Sequence, residues 1–353
     1  MDAQKIQALV QELHAVCTRP IRLMEVCGTH TVAFFRTGVK GMLPPNLRML
    51  SGPGCPVCVT AQGYVDAACE LALRPGVTVC TFGDMVRVPG RNGSLADCRG
   101  RGAKVRVVYS ARDALKFAQQ NQTEQVVFLG VGFETTAPGA AVVAQDARRH
   151  NVQNFSILNG HKRVLPAMML LLSQPDTAID GFLCPGHVSI ILGANAYQPI
   201  IDKFHKPCVI AGFEPQNLLE SVLALTKQVI NNEAKLENAY TALVTPEGNL
   251  AAQAILNEVF EPGPAVWRAM GTLPESGLNF RADWREFDAA ERFDVNTSDD
   301  FESPGCRCGD VLQGKLDPPE CALFGTACNP VNPIGPCMVS SEGSCAAWYK
   351  YHR

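Results

Sequence analysis

Six of the chain's fifteen cysteines fall between positions 306 and 345: Cys306, Cys308, Cys321, Cys328, Cys337 and Cys345. Glycine and proline recur between them, at Gly309, Gly314, Pro318, Pro319, Pro333 and Pro336. So many φ-fixing and φ-permissive residues exclude one long helix or a regular sheet. A stretch this poor in aliphatics needs a staple, either disulfides or a metal centre. Thiolates are soft ligands that suit zinc or an iron–sulfur cluster. Structural zinc is usually held by short Cys-x₂₋₄-Cys hooks, and Cys306-Arg307-Cys308 is too tight for one. The wide remaining gaps suit a cluster better, but the residues alone do not say which four cysteines would hold it.

Two more cysteine sites lie near the front. Cys55-Pro56-Val57-Cys58 follows Gly52-Pro53-Gly54 in a loop expected to open a helix. There a thiol is eased toward thiolate, giving a nucleophile, half of a metal site or a redox dithiol. Cys27 stands beside Gly28 and His30, an imidazole able to move a proton or hold a thiolate. His161 and His187 are single loop histidines, as readily hydrogen-bonding fixtures as catalysts. Glu134 and Glu214, each in a Gly-Phe-Glu run, could cap helices or act as acid–base groups. Cys17, Cys69, Cys80, Cys98, Cys184 and Cys208 read as packing residues.

Periodicity then places these groups. Short apolar runs at Ile21–Val26, Leu47–Leu50, Val77–Phe82, Lys104–Tyr109, Gln125–Val131, Phe155–Leu158, Gly181–Cys184 and Cys208–Ala211 alternate with helical patterns. That alternation predicts an α/β protein: two Rossmann-like parallel-sheet lobes facing a cleft, plus a loop-rich C-terminal cysteine domain. The expected partition is an N-terminal helix over 1–19 packing on the C-terminal domain, lobes over 20–121 and 122–217, and a helical bridge with the cysteine domain over 218–353. Each polar or cysteine-bearing motif follows a predicted strand, the edge at which open α/β sheets bind ligands. The cleft should therefore be lined by Cys27, His30, Cys55, Cys58, Glu134, His187 and Glu214. A net charge of −3 with no basic run gives no footprint for nucleic acid. Neither a secretory signal nor an apolar run of membrane-spanning length is seen, so a cytoplasmic protein with reduced thiols is expected.

The ordered set Met24-Glu25-Val26-Cys27-Gly28-Thr29-His30, Gly52-Pro53-Gly54-Cys55-Pro56-Val57-Cys58, Gly132-Phe133-Glu134-Thr135-Thr136, Pro185-Gly186-His187-Val188-Ser189, Gly212-Phe213-Glu214-Pro215 and the C-terminal cysteines resembles the HypD family of [NiFe]-hydrogenase maturation proteins. The family's pattern Cys-x14-Cys-x6-Cys-x16-Cys falls on Cys306, Cys321, Cys328 and Cys345. The resemblance implies that these four hold a [4Fe–4S] cluster and that Cys308 and Cys337 do not. It also implies that Cys27 carries an iron bearing two cyanides and one carbon monoxide. Cys55 and Cys58 would then be a redox dithiol or further iron contacts, so Cys27, Cys55 and Cys58 are the candidate ligands of the passing iron. The implied partners are a small HypC-type chaperone and, transiently, a HypE-type cyanide donor. One departure is Val32, where family members often carry a second histidine. Two rivals remain: a cluster-dependent disulfide reductase resembling ferredoxin–thioredoxin reductase, which needs no Cys27, and a zinc-stabilised binding protein.

Overall fold

A computed structural model describes residues 3–351. Its strands are β1 (Ile21–Glu25), β2 (Leu47–Ser51), β3 (Val77–Thr81), β4 (Lys104–Val107), β5 (Gln125–Gly132) and β6 (Phe155–His161). They continue with β7 (Gly181–Pro185), β8 (Cys208–Ala211), β9 (Leu236–Asn238), β10 (Phe260–Trp267) and β11 (Gly271–Phe280). Two sheets are wholly parallel, a five-stranded one in the order β2-β1-β7-β8-β9 and a four-stranded one in the order β4-β3-β5-β6. Helices cover them, and a parallel strand hidden on both faces reads as an unbroken apolar run. Every residue of β3 and of β7 is buried accordingly.

The expected α/β lobes are present, but the boundary at 121/122 is not where the sheets divide. It falls between β4 and β5, which belong to one sheet. The chain leaves the first sheet after β2, builds the whole second sheet, and returns to add β7 beside β1, with Leu23 opposite Gly181. Local sequence sets which residues extend. Which strand sits beside which is decided by long-range packing that local patterns do not carry. The expected helical bridge is also broken up: a helix over Pro215–Ile230, β9 as an edge strand, and a helix over Leu250–Val259. Beyond it β10 and β11 form an antiparallel hairpin, with a register shift between Gly263 and Ala265.

The N-terminal helix, Ala3–Val16, docks on the Pro215–Ile230 helix rather than on the cysteine-rich region. Leu13 is its fully buried anchor, and Lys5–Glu220 (2.8 Å) and Glu12–Lys227 (2.6 Å) join the rims. The cysteine-rich region folds into short helices, Cys308–Leu312, Pro336–Val339 and Ser344–Tyr351. Its last helix lies on the helix Gly28–Arg36, Trp348 meeting Phe35 edge-on at 5.2 Å. The Lys40 ammonium covers both rings at 4.4 and 5.0 Å.

Leu13→Ala should cost about 2–4 kcal/mol, because the closed interface collapses only partly into the void. The exposed control Gln11→Ala should stay within about 0.5 kcal/mol. Denaturant midpoints of the two variants measure the difference.

Candidate functional site

Cys27 is where the two front motifs and the cysteine-rich tail meet. β1 ends at Glu25, and Cys27 stands just ahead of the helix Gly28–Arg36 with extended backbone (φ −152°, ψ 116°). The backbone N–H groups of Thr29 and His30 lie beside its sulfur at the helix N-terminus and favour its charged form, although neither closes a side-chain cap. Burial nevertheless dominates. It pushes the Cys27 thiol up to about 12, and the charges of Glu342 and Glu25 add to the shift.

Glu25 was not among the residues expected to act, although it lies inside the Met24–Cys27 run. Its carboxyl is buried and accepts the Cys27 N–H (2.9 Å) and the Thr31 hydroxyl. Loss of solvent pushes it from the ordinary 4.5 up to about 8. The available sequence signal was an acidic residue within an otherwise apolar strand end. The loop after β2 is pressed onto this one. Gly52 N–H donates to the Glu25 carbonyl (2.7 Å), and Gly28 N–H to the Gly54 carbonyl (3.3 Å). A Cβ on Gly54 would stand 2.1 Å from the Cys27 nitrogen, so only glycine permits the approach.

That approach brings Cys55 beside the Cys27 loop. Cys55 and Cys58 are joined as a disulfide, 3 % and 0 % exposed, and Cys58 N–H donates to the Cys55 sulfur (3.2 Å). The expected helix N-terminus is not at Cys55: the helix begins at Gln62, and residues 56–59 form a turn. The disulfide's surroundings are therefore tight backbone and core rather than a helix dipole.

His30 and His187 join the same edge. His30 is fully buried; its Nε2–H donates to the carbonyls of Ala211 (3.2 Å) and Gly212 (3.1 Å), leaving Nδ1 without a partner. Burial holds the ring down to about 4, and it is neutral. Phe213 lies between the two imidazoles, 4.8 Å from His30 and 4.2 Å from His187. The ends of β1, β7 and β8 are thus tied through one aromatic ring.

The two glutamates do not join them. Glu134 follows β5 in the second sheet, where its Oε1 accepts the Val164 N–H (3.0 Å) and caps the helix Val164–Ser173. Its Oε2 is buried without a partner, and burial pushes the carboxyl up to about 7. Glu214 is exposed ahead of the helix Pro215–Ile230 and makes no side-chain cap. The six remaining packing cysteines are unpaired and buried, Cys69 only in part.

All six C-terminal cysteines line one small cavity with Val311, Leu323 and Phe324 among its apolar walls. Cys308 and Cys337 hydrogen-bond to one another, which draws the Cys308 thiol down. Cys306 is pushed up to about 12 by burial and by the charges of Cys308, Cys328 and Cys321; Cys345 is pushed up for the same reasons. Among the described residues, no three His, Cys, Asp or Glu side chains close on a single-ion point. The thiols ring a volume instead. Glu342, between Cys337 and Cys345, reaches the Cys27 loop, accepting the Thr29 hydroxyl at 2.6 Å. Asp84, just beyond β3, accepts the Ser340 hydroxyl (3.1 Å) and the Ser341 N–H (2.9 Å). Neither acid was singled out from sequence.

A family model described as "Hydrogenase formation hypA family" and named HypD matches residues 4–352. The chain belongs to the HypD family. It is 46 % identical over 351 residues to the hydrogenase maturation factor HypD of Escherichia coli K12, covering 99 % of this chain and 94 % of that one. It is 46 % identical over 342 residues to HypD of Azotobacter vinelandii, covering 95 % and 90 %. A putative hydrogenase expression/formation protein of Methanocaldococcus jannaschii is 42 % identical over 333 residues, covering 94 % and 92 %. No helix among the described residues is long and apolar enough to cross a membrane.

Gly54→Ala should cost at least about 2 kcal/mol and free the Cys27 loop, because the new methyl has only backbone to displace. The checks are a thermal melt and faster alkylation of Cys27. Glu25 supplies a pH dependence. Between about pH 5 and 8 the folded carboxyl keeps a proton that the unfolded chain has released, so stability falls as pH rises. Glu25→Gln should flatten that fall between pH 6.5 and 8 by up to about 1 kcal/mol per unit, read from denaturant midpoints.

Proposed function

We propose that this protein is a hydrogenase maturation factor that assembles the iron of a [NiFe] centre, holding iron with two cyanides and one carbon monoxide on Cys27. The observation that carries the reading is the convergence on Cys27 of the Cys55–Cys58 disulfide loop and of Glu342 from the cysteine-rich tail. Family membership and the names of the relatives support it. The iron is cargo here, so this is scaffold chemistry rather than turnover of a defined substrate.

Six thiols in an apolar cavity form a donor set that suits an iron–sulfur cluster. Cys306, Cys321, Cys328 and Cys345 would hold a [4Fe–4S] cluster, which when bound supplies electrons one at a time. The chain's own residues do the rest. Cys27 gives up its proton as iron arrives and grips the metal through sulfur, the N–H groups of Thr29 and His30 steadying the charge. Neutral His30, fixed through Nε2–H, keeps Nδ1 available as an acceptor. The Cys55–Cys58 disulfide takes two electrons and two protons to give two thiols beside Cys27. A HypC-type chaperone would share the iron and a HypE-type protein would deliver cyanide. The setting would be the cytoplasm, where the other thiols stay reduced.

A second reading, a thiol–disulfide oxidoreductase, is favoured by the disulfide alone and makes Cys27 dispensable. Infrared spectra of the protein purified anaerobically with its small chaperone separate the two. Cyanide and carbonyl stretching bands are expected in the wild type and absent in Cys27→Ala. Absorbance near ~400 nm from cysteine-ligated iron–sulfur should remain in both. Full maturation activity in Cys27→Ala would overturn the scaffold.

A further inference from the structure

The second parallel sheet has a polar site of its own, and the chemistry above does not use it. β6 ends at His161, and Lys162 is pinned immediately beyond: its N–H donates to the Gly132 carbonyl (2.9 Å), and it pairs with Gly277 of the hairpin. The Lys162 side chain is only 5 % exposed. Its ammonium donates one hydrogen bond, to the Val266 carbonyl (2.8 Å), and lies 5.5 Å from the Trp267 ring centre. An ammonium has three donors, and a buried cation without an anion is costly. Asp300 is the carboxylate whose charge reaches it. Asp300 makes no ion pair with Lys162 among the described residues and is taken up by the N–H groups of Ala269 and Gly271.

Lys162 lines a cavity of about 290 Å³ with Tyr64, Asn159, His161, Thr272 and Asn279, and so does Val266, whose carbonyl holds the ammonium. Asn159 Oδ1 accepts both the His161 backbone N–H (3.3 Å) and its Nδ1–H (2.8 Å). That pairing fixes the tautomer and leaves Nε2 as an acceptor, and burial keeps the ring neutral. The cavity is thus walled by a cationic donor next to a neutral acceptor, at the C-terminal edge of a parallel sheet, where such folds bind ligands. Its volume is below that of pockets for drug-sized molecules, which limits the ligand to a small one.

We propose that this cavity binds a small oxyanion carrying an O–H or N–H of its own, with Lys162 as the counter-charge and His161 Nε2 as the acceptor. The proposal does not rest on the assembly reading. Calorimetric titration of the full chain with inorganic phosphate should show saturable binding, and sulfate, which carries no proton at neutral pH, should bind more weakly. Lys162→Met should weaken phosphate by at least about tenfold, the loss of a charge-assisted hydrogen bond. In the wild-type protein phosphate should also slow acetylation of Lys162, read by mass spectrometry against exposed Lys116. That measurement decides if Lys162→Met does not fold. No saturable phosphate binding, unaltered binding by folded Lys162→Met, or equal Lys162 acetylation with and without phosphate overturns the site. Equal affinity for sulfate overturns the acceptor role of His161.

Discussion

Burial leaves the sulfur of Cys27 with two stable partners, a proton or a metal ion. The thiol is buried beside the tail region, and the Glu342 carboxylate stands close enough to oppose a bare thiolate, joined by Glu25 once that carboxyl ionises. Local help for negative charge comes from the backbone N–H groups of Thr29 and His30 at a helix N-terminus, worth on the order of 1 kcal/mol. Desolvation of an ion outweighs that. The surroundings of Cys27 therefore hold a neutral thiol until a cation of its own arrives. The glycines before Cys55, the capping of Glu25 and the anchoring of Glu342 all serve to keep that enclosure closed.

The sheet topology makes the enclosure possible. Because β1 pairs with both β2 and β7, residues far apart in sequence finish on one edge, with Phe213 after β8 wedged between His30 and His187. In parallel sheets every strand delivers its end to the same side, so loops accumulate there and can seal one another. The tail region adds the last wall. Its attachments at Thr29, through Glu342, and at Asp84 bind it to the ends of strands from both sheets. The cysteine-lined cavity is thereby held at a fixed place relative to Cys27.

Much of this was legible in the sequence because parallel strands are apolar throughout and their ends carry the motifs. Predicted Ile21–Val26 is observed as Ile21–Glu25, and Cys208–Ala211 is observed with the same limits. β6 runs on through Asn159, Gly160 and His161, polar residues that look like a loop, because β5 pairs with them up to Gly132. The Gly-Phe-Glu run shows where local reading stops. It follows β5 and β8 alike, yet Glu134 is buried as a cap and Glu214 is exposed. The tripeptide is the same and the neighbours differ. Glu25, Glu342 and Asp84 were missed for the matching reason: an acid declares itself only through what folds over it.

Arg268 shows how charge is distributed between the two sulfur sites. It follows β10 and is buried, its backbone N–H donating to the Val59 carbonyl (3.0 Å) and its Nε–H to the Thr60 carbonyl (2.8 Å). A further donor reaches Gln62 (3.1 Å). These contacts fix the guanidinium against the chain leaving the Cys55–Cys58 turn, and its charge is felt at Cys308 in the tail cavity. A guanidinium cannot shed its proton to escape burial, so it must be offset by nearby negative charge. Asp300 and Glu302 are the carboxyls that feel it: burial raises both, and the Arg268 charge draws both back down. A positive charge fixed behind the disulfide turn thus favours the ionised form of Cys308, the one thiol of the tail cavity that is drawn down, and an ionised sulfur is the form that binds metal.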